Sequence, residues 1–258
     1  MTGVHNVPRC VFLCVFVPQA ATFMSRRLLF FLLLSILASA AFLLSGCASD
    51  SDATSPAAST PTAAASVSDT LDPAVLDTAT FAGGCFWCME PPYDRLDGVV
   101  STTSGFSGGD VANPSYRDVA YGRTKHTEAV QVVYNAETVD YRTLLRAYWH
   151  NVDPLDGTGQ FCDRGSQYRP AIFAHDAAQR QEAEATLDVV KDRFGDPIAV
   201  EIVDFESFYS AEDYHQDYYQ KNPTDYKRYR RGCRRDARLQ DLWGEKAGTA
   251  QPLTRASS

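Results

Sequence analysis

This chain of 258 residues is short of positive charge. Its 24 Lys and Arg stand against 32 Asp and Glu, a net charge of −8. The first 47 residues reverse the pattern with three arginines and no acidic residue, leaving 21 basic against 32 acidic residues beyond them. Such an acidic surface repels a phosphate backbone and argues against a nucleic-acid partner. Internal repeats are absent. The folded part also lacks a second close cysteine pair beside Cys85 and Cys88. A structural zinc site needs four ligands in closed geometry, and Cys162 and Cys233 would have to complete it from far along the chain. We therefore expect no metal. Residues 48–70, rich in Ala, Ser, Thr and Pro, lack the large apolar side chains from which a core is built and read as a flexible tether.

What is present at the N-terminus speaks of export. From Met24 the chain runs through Ser25, Arg26 and Arg27 into an apolar stretch from Leu28 to Leu44, then Ser45-Gly46-Cys47. A charged start, an apolar run and a small-residue processing site make a secretory signal. Leu44-Ser45-Gly46-Cys47 resembles the box of bacterial lipoproteins, cleaved before a cysteine that then carries lipid. A plain transmembrane anchor and an ordinary signal peptide are the alternatives. The resemblance begins at Met24, so Met24 competes with Met1 as the start; from Met24 Cys10 and Cys14 are never made, and from Met1 Arg9 and the apolar residues around it extend the hydrophobic region. Residues 1–47 are thus assigned to an extension and signal peptide, 48–70 to the tether, 71–246 to one domain and 247–258 to a disordered tail. The expected location is the cell envelope, with lipidated Cys47 holding the protein at a membrane and the domain facing the periplasm or the exterior. Strong attachment normally needs more than one acyl chain.

Within the domain, Thr80–Ala82 reads as the end of a first strand leading into Gly83-Gly84. Pro91-Pro92 is compatible with a helix only in its first turn, which sets a helix from Glu90 to about Leu96. Gly105 to Gly109 reads as a glycine-rich turn and Asn113-Pro114 as another. Glu128–Tyr134, with valines at 130, 132 and 133, reads as a strand, and Val139–Trp149 as a helix. A short strand follows at Ala171–Ala174. Asp176 then caps a long helix to Phe194, with Leu187, Val190 and Phe194 inward. Ile198–Phe205 is the next strand. A basic stretch around Cys233 precedes a short helix ending near Trp243. The irregular alternation implies an α+β fold, a two-layer sandwich with a mixed or antiparallel sheet and long active-site loops.

The chemistry concentrates in Gly84-Cys85-Phe86-Trp87-Cys88 and His126-Thr127-Glu128. A thiol attacks as thiolate, and backbone N–H groups just after Cys85 are placed to stabilise its charge. Phe86 and Trp87 offer an apolar wall suited to a methyl group. Glu128, at the start of an apolar strand, is expected to be partly buried, which would keep it protonated and able to donate a proton to oxygen, the alternative being an exposed strand-end carboxylate. His126 reads as a supporting or surface residue. The loop Phe161–Arg169 is dense in polar groups, and Tyr116 and Tyr168 supply uncharged donors. Tyr209–Tyr219 either borders the pocket or forms a solvated helix, and metal binding by His215 has little support.

These motifs, with Asn113–Arg117, Gly165–Arg169 and Ala211–Gln216 in the same order, resemble the peptide methionine sulfoxide reductase A family across residues 78–243. The resemblance implies reduction of methionine S-sulfoxide, free or in peptides, to methionine. Cys85 would attack the sulfoxide sulfur and become a sulfenic acid, while Glu128 protonates the oxygen. Tyr116 and Tyr168 would hydrogen-bond that oxygen, Asp163 would shape the polar side, and Phe86 and Trp87 would hold the S-methyl group. Many relatives have glycine where this chain has Cys88, which puts it in the GCFWC subgroup. Cys233, Cys88 and Cys162 are the candidates to resolve the sulfenic acid. Cys233 leads, on a tail expected to be mobile. A thioredoxin-like dithiol would complete recycling, no cofactor is implied, and a monomer is expected. The competing readings are a general CxxC thiol–disulfide oxidoreductase and a non-catalytic lipoprotein.

Overall fold

The computed structural model describes residues 73–195 and 197–255. The signal, tether and lipidation expectations, including Cys47, lie outside the described residues. Among the described residues, no helix is long and apolar enough to cross a membrane.

In chain order the elements are β1 (Leu76–Ala82), α1 (Glu90–Asp94), β2 (Val99–Ser107), α2 (Tyr116–Ala120), β3 (Thr127–Asn135), α3 (Tyr141–Trp149), β4 (Gly159–Gln160), β5 (Asp163–Arg164), β6 (Ala171–Ala174), α4 (Ala177–Phe194), β7 (Glu201–Asp204), β8 (Phe208–Ser210), α5 (Tyr218–Lys221), α6 (Pro223–Gly232) and α7 (Arg235–Trp243). Six strands form one sheet in the order β7-β6-β1-β3-β2-β8, and β4-β5 is a separate small hairpin. All pairings in the large sheet are antiparallel except β6 with β7, which the long crossover helix α4 makes parallel. The expected α+β class with a mixed sheet is what the chain adopts.

The period of two along β3 explains both the core and the site. Val130, Val132 and Tyr134 alternate onto one face and are fully or almost fully buried. There they meet Phe81 of β1, Tyr141, Leu144, Leu145 and Tyr148 of α3, and Leu239 and Trp243 of α7. The Phe81 ring stacks on Tyr93, Tyr141 and Tyr148 at centroid distances of 5.3, 6.0 and 5.5 Å. Burying one such side chain contributes about 2 kcal/mol. Glu128 has the same parity as Val130, so the pleat that builds the core also turns its carboxyl inward. The opposite face carries a smaller cluster of Ala82, Ala129, Ala171 and Phe173.

Helix starts follow local chemistry. The carboxylates of Asp140 and Asp176 accept from the N–H groups of Thr143 and Gln179 and cap α3 and α4. Pro91 and Pro92 fall in the first turn of α1, where missing N–H groups cost little.

Several expectations are corrected. Gly105 belongs to β2 rather than to a turn: it pairs with Ser210 of β8, and a Cβ there would overlap the Tyr209 carbonyl. The turn begins at Gly108, with φ +71. The strand expected over Ile198–Phe205 pairs only over Glu201–Asp204, because its four-residue partner β6 offers no more ladder. Tyr209–Tyr219 is not one helix but the end of β8, a 3-10 turn at Asp213–His215 and the start of α5. Cys233 does not lie on a loose tail. It caps α6, its N–H donating to Tyr229 O at 2.9 Å, and it is disulfide-bonded to Cys162. The chain after Ala247, expected to be disordered, is held as far as Arg255. Gly248 N–H donates to His150 O at 2.9 Å, and Ala250 and Leu253 pack against the core.

Candidate active site

The site begins where β1 ends. Gly84 has φ +81, and a Cβ on it would sit 2.6 Å from Cβ of Gln160, so glycine is required for both conformation and space. The chain then enters a 3-10 turn over Phe86–Cys88, closed by Cys88 N–H donating to Cys85 O at 3.0 Å. Cys85 is 6% exposed and Cys88 1%. Both are free thiols.

Glu128 reaches this turn from β3. Its Oε2 accepts from the Phe86 N–H at 3.1 Å, in a buried setting. That amide was expected to face the Cys85 sulfur; instead it anchors the acid beside the thiol loop. Burial pushes the Glu128 carboxyl up to about 8, against the pull of the Phe86 hydrogen bond, with Asp163 and Cys88 adding to the rise. The acid is thus protonated at neutral pH, as expected from its place on the strand.

The two thiols share a proton unequally. Burial raises Cys85 well above the ordinary thiol range, and its hydrogen bond to Cys88 and the charge of Glu128 act the same way. Cys88 is lowered to about 6, first by the hydrogen bond from Cys85 and then by Arg235 and Arg230, against its own burial. Carboxylates face Cys85 and guanidinium groups face Cys88, so the pair's negative charge rests on Cys88 and the proton on Cys85.

Around them stands an aromatic box. The Trp87 indole stacks on Tyr218 with centroids 3.8 Å apart and meets Tyr229 edge-on at 5.8 Å. Its N–H donates to Nδ1 of His215 at 3.1 Å. Burial lowers the His215 pKa, which keeps Nδ1 unprotonated and able to accept. Phe86 is buried rather than presented: it is 1% exposed and backs the box against Phe106, Tyr116 and His215. Tyr116, the first residue of α2, lies 4.2 Å from the His215 ring, centroid to centroid. Tyr116 and Tyr168 are both half-buried. Their phenols are raised by burial first, and both respond to the charges of Glu128 and Cys85. They stay neutral donors.

Asp163 starts β5 and accepts a hydrogen bond from the Tyr229 hydroxyl of α6. Burial raises its pKa, while Tyr229 and Arg235 pull it down. Cys162, one residue earlier, is exposed and joined to half-buried Cys233, with Cα atoms 4.8 Å apart. Of the candidate resolving thiols, only Cys88 is free and hydrogen-bonded to Cys85. His126 is fully buried, its Nε2 placed 2.8 Å from Val111 O and its ring against Tyr209. It supports the β2–β3 end and does not reach the thiols.

Sequence reasoning missed Arg235 and Tyr229, and reached Tyr218 only as part of the Tyr209–Tyr219 segment that borders the pocket or forms a solvated helix. Arg235 is 1% exposed and donates to Gly83 O at 3.1 Å and Asn151 O at 2.7 Å, with its guanidinium 4.2 Å from the Phe161 ring centroid. No carboxylate pairs with it among the described residues. A lone arginine inside a run of arginines carries no mark of burial. The excess of tyrosines in Tyr218–Tyr229 was the available signal for the other two.

Comparison with known proteins gives concordant results. The family model described as peptide methionine sulfoxide reductase matches residues 77–247. The peptide methionine sulfoxide reductase MsrA of Bacillus licheniformis is 46% identical over 172 residues, covering 66% of this chain and 95% of that protein. The one from Ligilactobacillus salivarius is 48% identical over 166 residues, 64% of this chain and 96% of its own length. Among solved structures, the reduced form of Mxr1 from Saccharomyces cerevisiae superposes with a TM-score of 0.57 at 35% identity, covering 59% of this chain and 89% of that one. Methionine sulfoxide reductase A of Corynebacterium diphtheriae gives 0.54 at 35% identity, with 59% and 77% covered.

Proposed function

The chain belongs to the peptide methionine sulfoxide reductase family, and from that premise we infer how its own residues reduce methionine S-sulfoxide in peptides, proteins or the free amino acid. The observation that carries the reading is the buried, protonated Glu128 carboxyl anchored to the backbone of the Cys85 turn. A protonated acid and a thiol at one buried point suit attack on sulfur with simultaneous protonation of oxygen.

In the proposed sequence the S-methyl group enters the box at Trp87, backed by Phe86. Tyr116 and Tyr168 donate to the sulfoxide oxygen, and Asp163 borders the polar side. Cys88 takes the Cys85 proton as Cys85 attacks the sulfur. Glu128 delivers its proton to the oxygen, which passes to Cys85. Methionine leaves reduced by two electrons and Cys85 is left as a sulfenic acid. Cys88 then attacks that sulfur, forming a Cys85–Cys88 disulfide and releasing water. This puts Cys88 ahead of Cys233 and Cys162 as the resolving thiol, since only Cys88 already contacts Cys85. A thioredoxin-like dithiol restores the pair by exchange. The GCFWC turn places Cys88 for this short-range resolution.

A monomer tethered through lipidated Cys47 at the cell envelope, with the domain in the periplasm or outside, remains our proposal for its setting. The Leu44–Cys47 box and the residue 48–70 tether support it. Metabolic labelling with a lipid precursor should mark the wild type and not Cys47→Ser; an unlabelled, soluble mature protein ends the anchored reading.

The first test of the chemistry is reduction of separate S and R epimers of a blocked methionine sulfoxide by the full chain, with dithiothreitol as donor. S-selective turnover, abolished in Cys85→Ser, is expected. Cys88→Ser should release about one methionine per enzyme in the absence of donor and accumulate the sulfenic acid. A folded, reduced wild type without turnover overturns the reading and favours general disulfide exchange at the CxxC pair.

A further inference from the structure

Large apolar side chains are scarce on the outside of this domain. Among the described residues, Val111, Tyr121, Leu155 and Tyr214 are the exposed ones, and Tyr121 and Tyr214 lead at 68% and 59%. A lone exposed hydrophobic calls for no explanation. These two tyrosines, however, share a neighbour. Tyr214 lies against the His215 ring at 4.1 Å, centroid to centroid, and that ring lies 4.2 Å from Tyr116. Tyr121 caps the C-terminal end of α2, the short helix that Tyr116 begins. Both therefore adjoin the phenol assigned to the sulfoxide oxygen.

Tyr121 is held as a fixed platform. Its N–H donates to Arg117 O at 3.2 Å, and the next two amides, of Gly122 and Arg123, donate to Val119 O at 2.8 Å and Asp118 O at 2.9 Å. Arg117 and Arg123 place their guanidinium carbons 5.9 and 5.2 Å from the Tyr121 ring centroid, within the range of cation–π attraction. Arg123 is itself anchored to Asp118 at 3.3 Å. The same end of α2 is tied to the other oxygen donor: Gln167, beside Tyr168, donates from Nε2 to Ala120 O at 2.9 Å. The ring is thus ordered while most of it is still in water, which lowers the cost of covering it.

The occupant follows from the chemistry of the substrate. Methionine is among the residues most often buried, and its oxidation to the sulfoxide disrupts the core around it. A damaged segment therefore carries apolar and aromatic neighbours into water with it. At about 1.5 Å per residue along α2, Tyr121 stands about 7–8 Å along the rim from Tyr116. An extended chain spans about 3.3 Å per residue, so a side chain about two or three residues from the sulfoxide reaches that ring. We propose that Tyr121, braced by Arg117 and Arg123, is a specificity subsite for an aromatic side chain flanking methionine sulfoxide in an extended polypeptide. The inference rests on the reductase reading and names the class of polypeptide the site prefers. Ring packing on Tyr121 and cation–π attraction from the guanidinium groups both favour an aromatic occupant. Asp118 already offsets Arg123, which leaves an acidic side chain less to gain.

The test uses the full chain with dithiothreitol as donor. Its substrates are blocked Gly/Ser peptides of methionine S-sulfoxide with Phe, Glu or Gly at the second and third positions on both sides. The Phe peptide should exceed the Gly peptide by about three- to tenfold in kcat/KM, chiefly through KM. The Glu peptide should stay close to the Gly peptide. Tyr121→Ala should bring the Phe-to-Gly ratio to about one while leaving turnover of blocked single methionine sulfoxide unchanged. Tyr121→Phe keeps the ring and should keep the ratio. A wild type without the preference overturns the subsite, as does a ratio that survives Tyr121→Ala or a Glu peptide that outruns the Phe peptide. An equal fall of Tyr121→Ala on every substrate, the blocked amino acid included, would make Tyr121 a structural residue and equally overturn it. A wild type that does not turn over the blocked amino acid is a separate failure, that of the reductase reading itself, and removes the subsite with it.

Discussion

The Tyr229 hydroxyl and the Asp163 carboxylate are hydrogen-bonded across the site, and their chain neighbours Cys233 and Cys162 are bridged. Two cross-links thus tie the same pair of elements, α6 and the β4–β5 hairpin. Tyr229 also meets Trp87 edge-on, so a single phenol connects the acidic side of the site to its aromatic side. Tyr229→Phe keeps the ring and removes the donor. Hydrogen bonds to charged groups are worth about 1.5–3 kcal/mol, so kcat/KM should fall by about 10- to 100-fold. Tyr229→Leu should additionally raise KM by removing the wall. A Tyr229→Phe variant with wild-type kcat/KM in steady-state assays would show that the hydroxyl does nothing, and equal KM in the two variants that the ring does nothing.

The pH profile follows from the buried groups. The thiol pair loses its first proton near pH 6 with the charge on Cys88, and Glu128 loses its proton near pH 8. Activity should rise through about pH 6 and fall through about pH 8, the lower limb belonging to the pair as a unit. Glu128→Gln should erase the upper limb and lower kcat by about 10²–10⁴-fold, the usual range for removing a general acid. Stopped-time assays of kcat/KM from pH 5 to 9.5 measure both. Persistence of the upper limb in Glu128→Gln would assign it elsewhere.

Stability should also depend on pH through an acid outside the reaction. Glu90, fully buried, is raised to about 7 by burial, against the hydrogen bonds from Ser104 and Asp217. Between its ordinary value near 4.5 and about 7 the folded state keeps a proton that the unfolded state has lost. The contribution is fully present below about 4.5 and is lost as pH rises through 7. Glu90→Gln should therefore flatten this dependence and stabilise the protein at pH 8 by on the order of 2 kcal/mol. Denaturant titrations at pH 5 and 8 decide it. Glu128 adds to the slope in the same direction, so the comparison is between variant and wild type at each pH.

Arg235 holds the Gly83 and Asn151 carbonyls from inside the core. Arg235→Lys retains charge but not the planar fork, and leaves at least one buried carbonyl unpaired. A loss of about 1–3 kcal/mol is expected from that group. The Cys88 thiolate should weaken with it, seen as a rightward shift of the thiolate absorbance titration. A purely structural arginine would change the melting temperature without moving that titration.

Gly84→Ala tests the turn. Positive φ and the approach of Gln160 act together, each worth about 1–3 kcal/mol. The variant should lose stability by about 2–4 kcal/mol, measured by chemical denaturation.

Much of this protein was legible in its residues, and for identifiable reasons. Val130, Val132 and Tyr134 announce a strand face by periodicity alone, and the parity of that face buries Glu128 without reference to any other element. Asp140 and Asp176 cap helices through bonds made within four residues. The thiol turn, the acid and the tyrosines occur in a recognisable order. These features depend on local chemistry, which the sequence determines by itself. What it could not decide depends on contacts made at long range. Gly105 reads as a turn until β8 packs against it, and Cys233 reads as a tail until Cys162 is brought to it across 71 residues. The division of charge between Cys85 and Cys88 follows their mutual hydrogen bond first and then Arg235 and Arg230, which lie more than a hundred residues away along the chain. Periodicity and capping are properties of a segment, whereas burial, pairing and proton affinity belong to surroundings that exist only once the chain has folded.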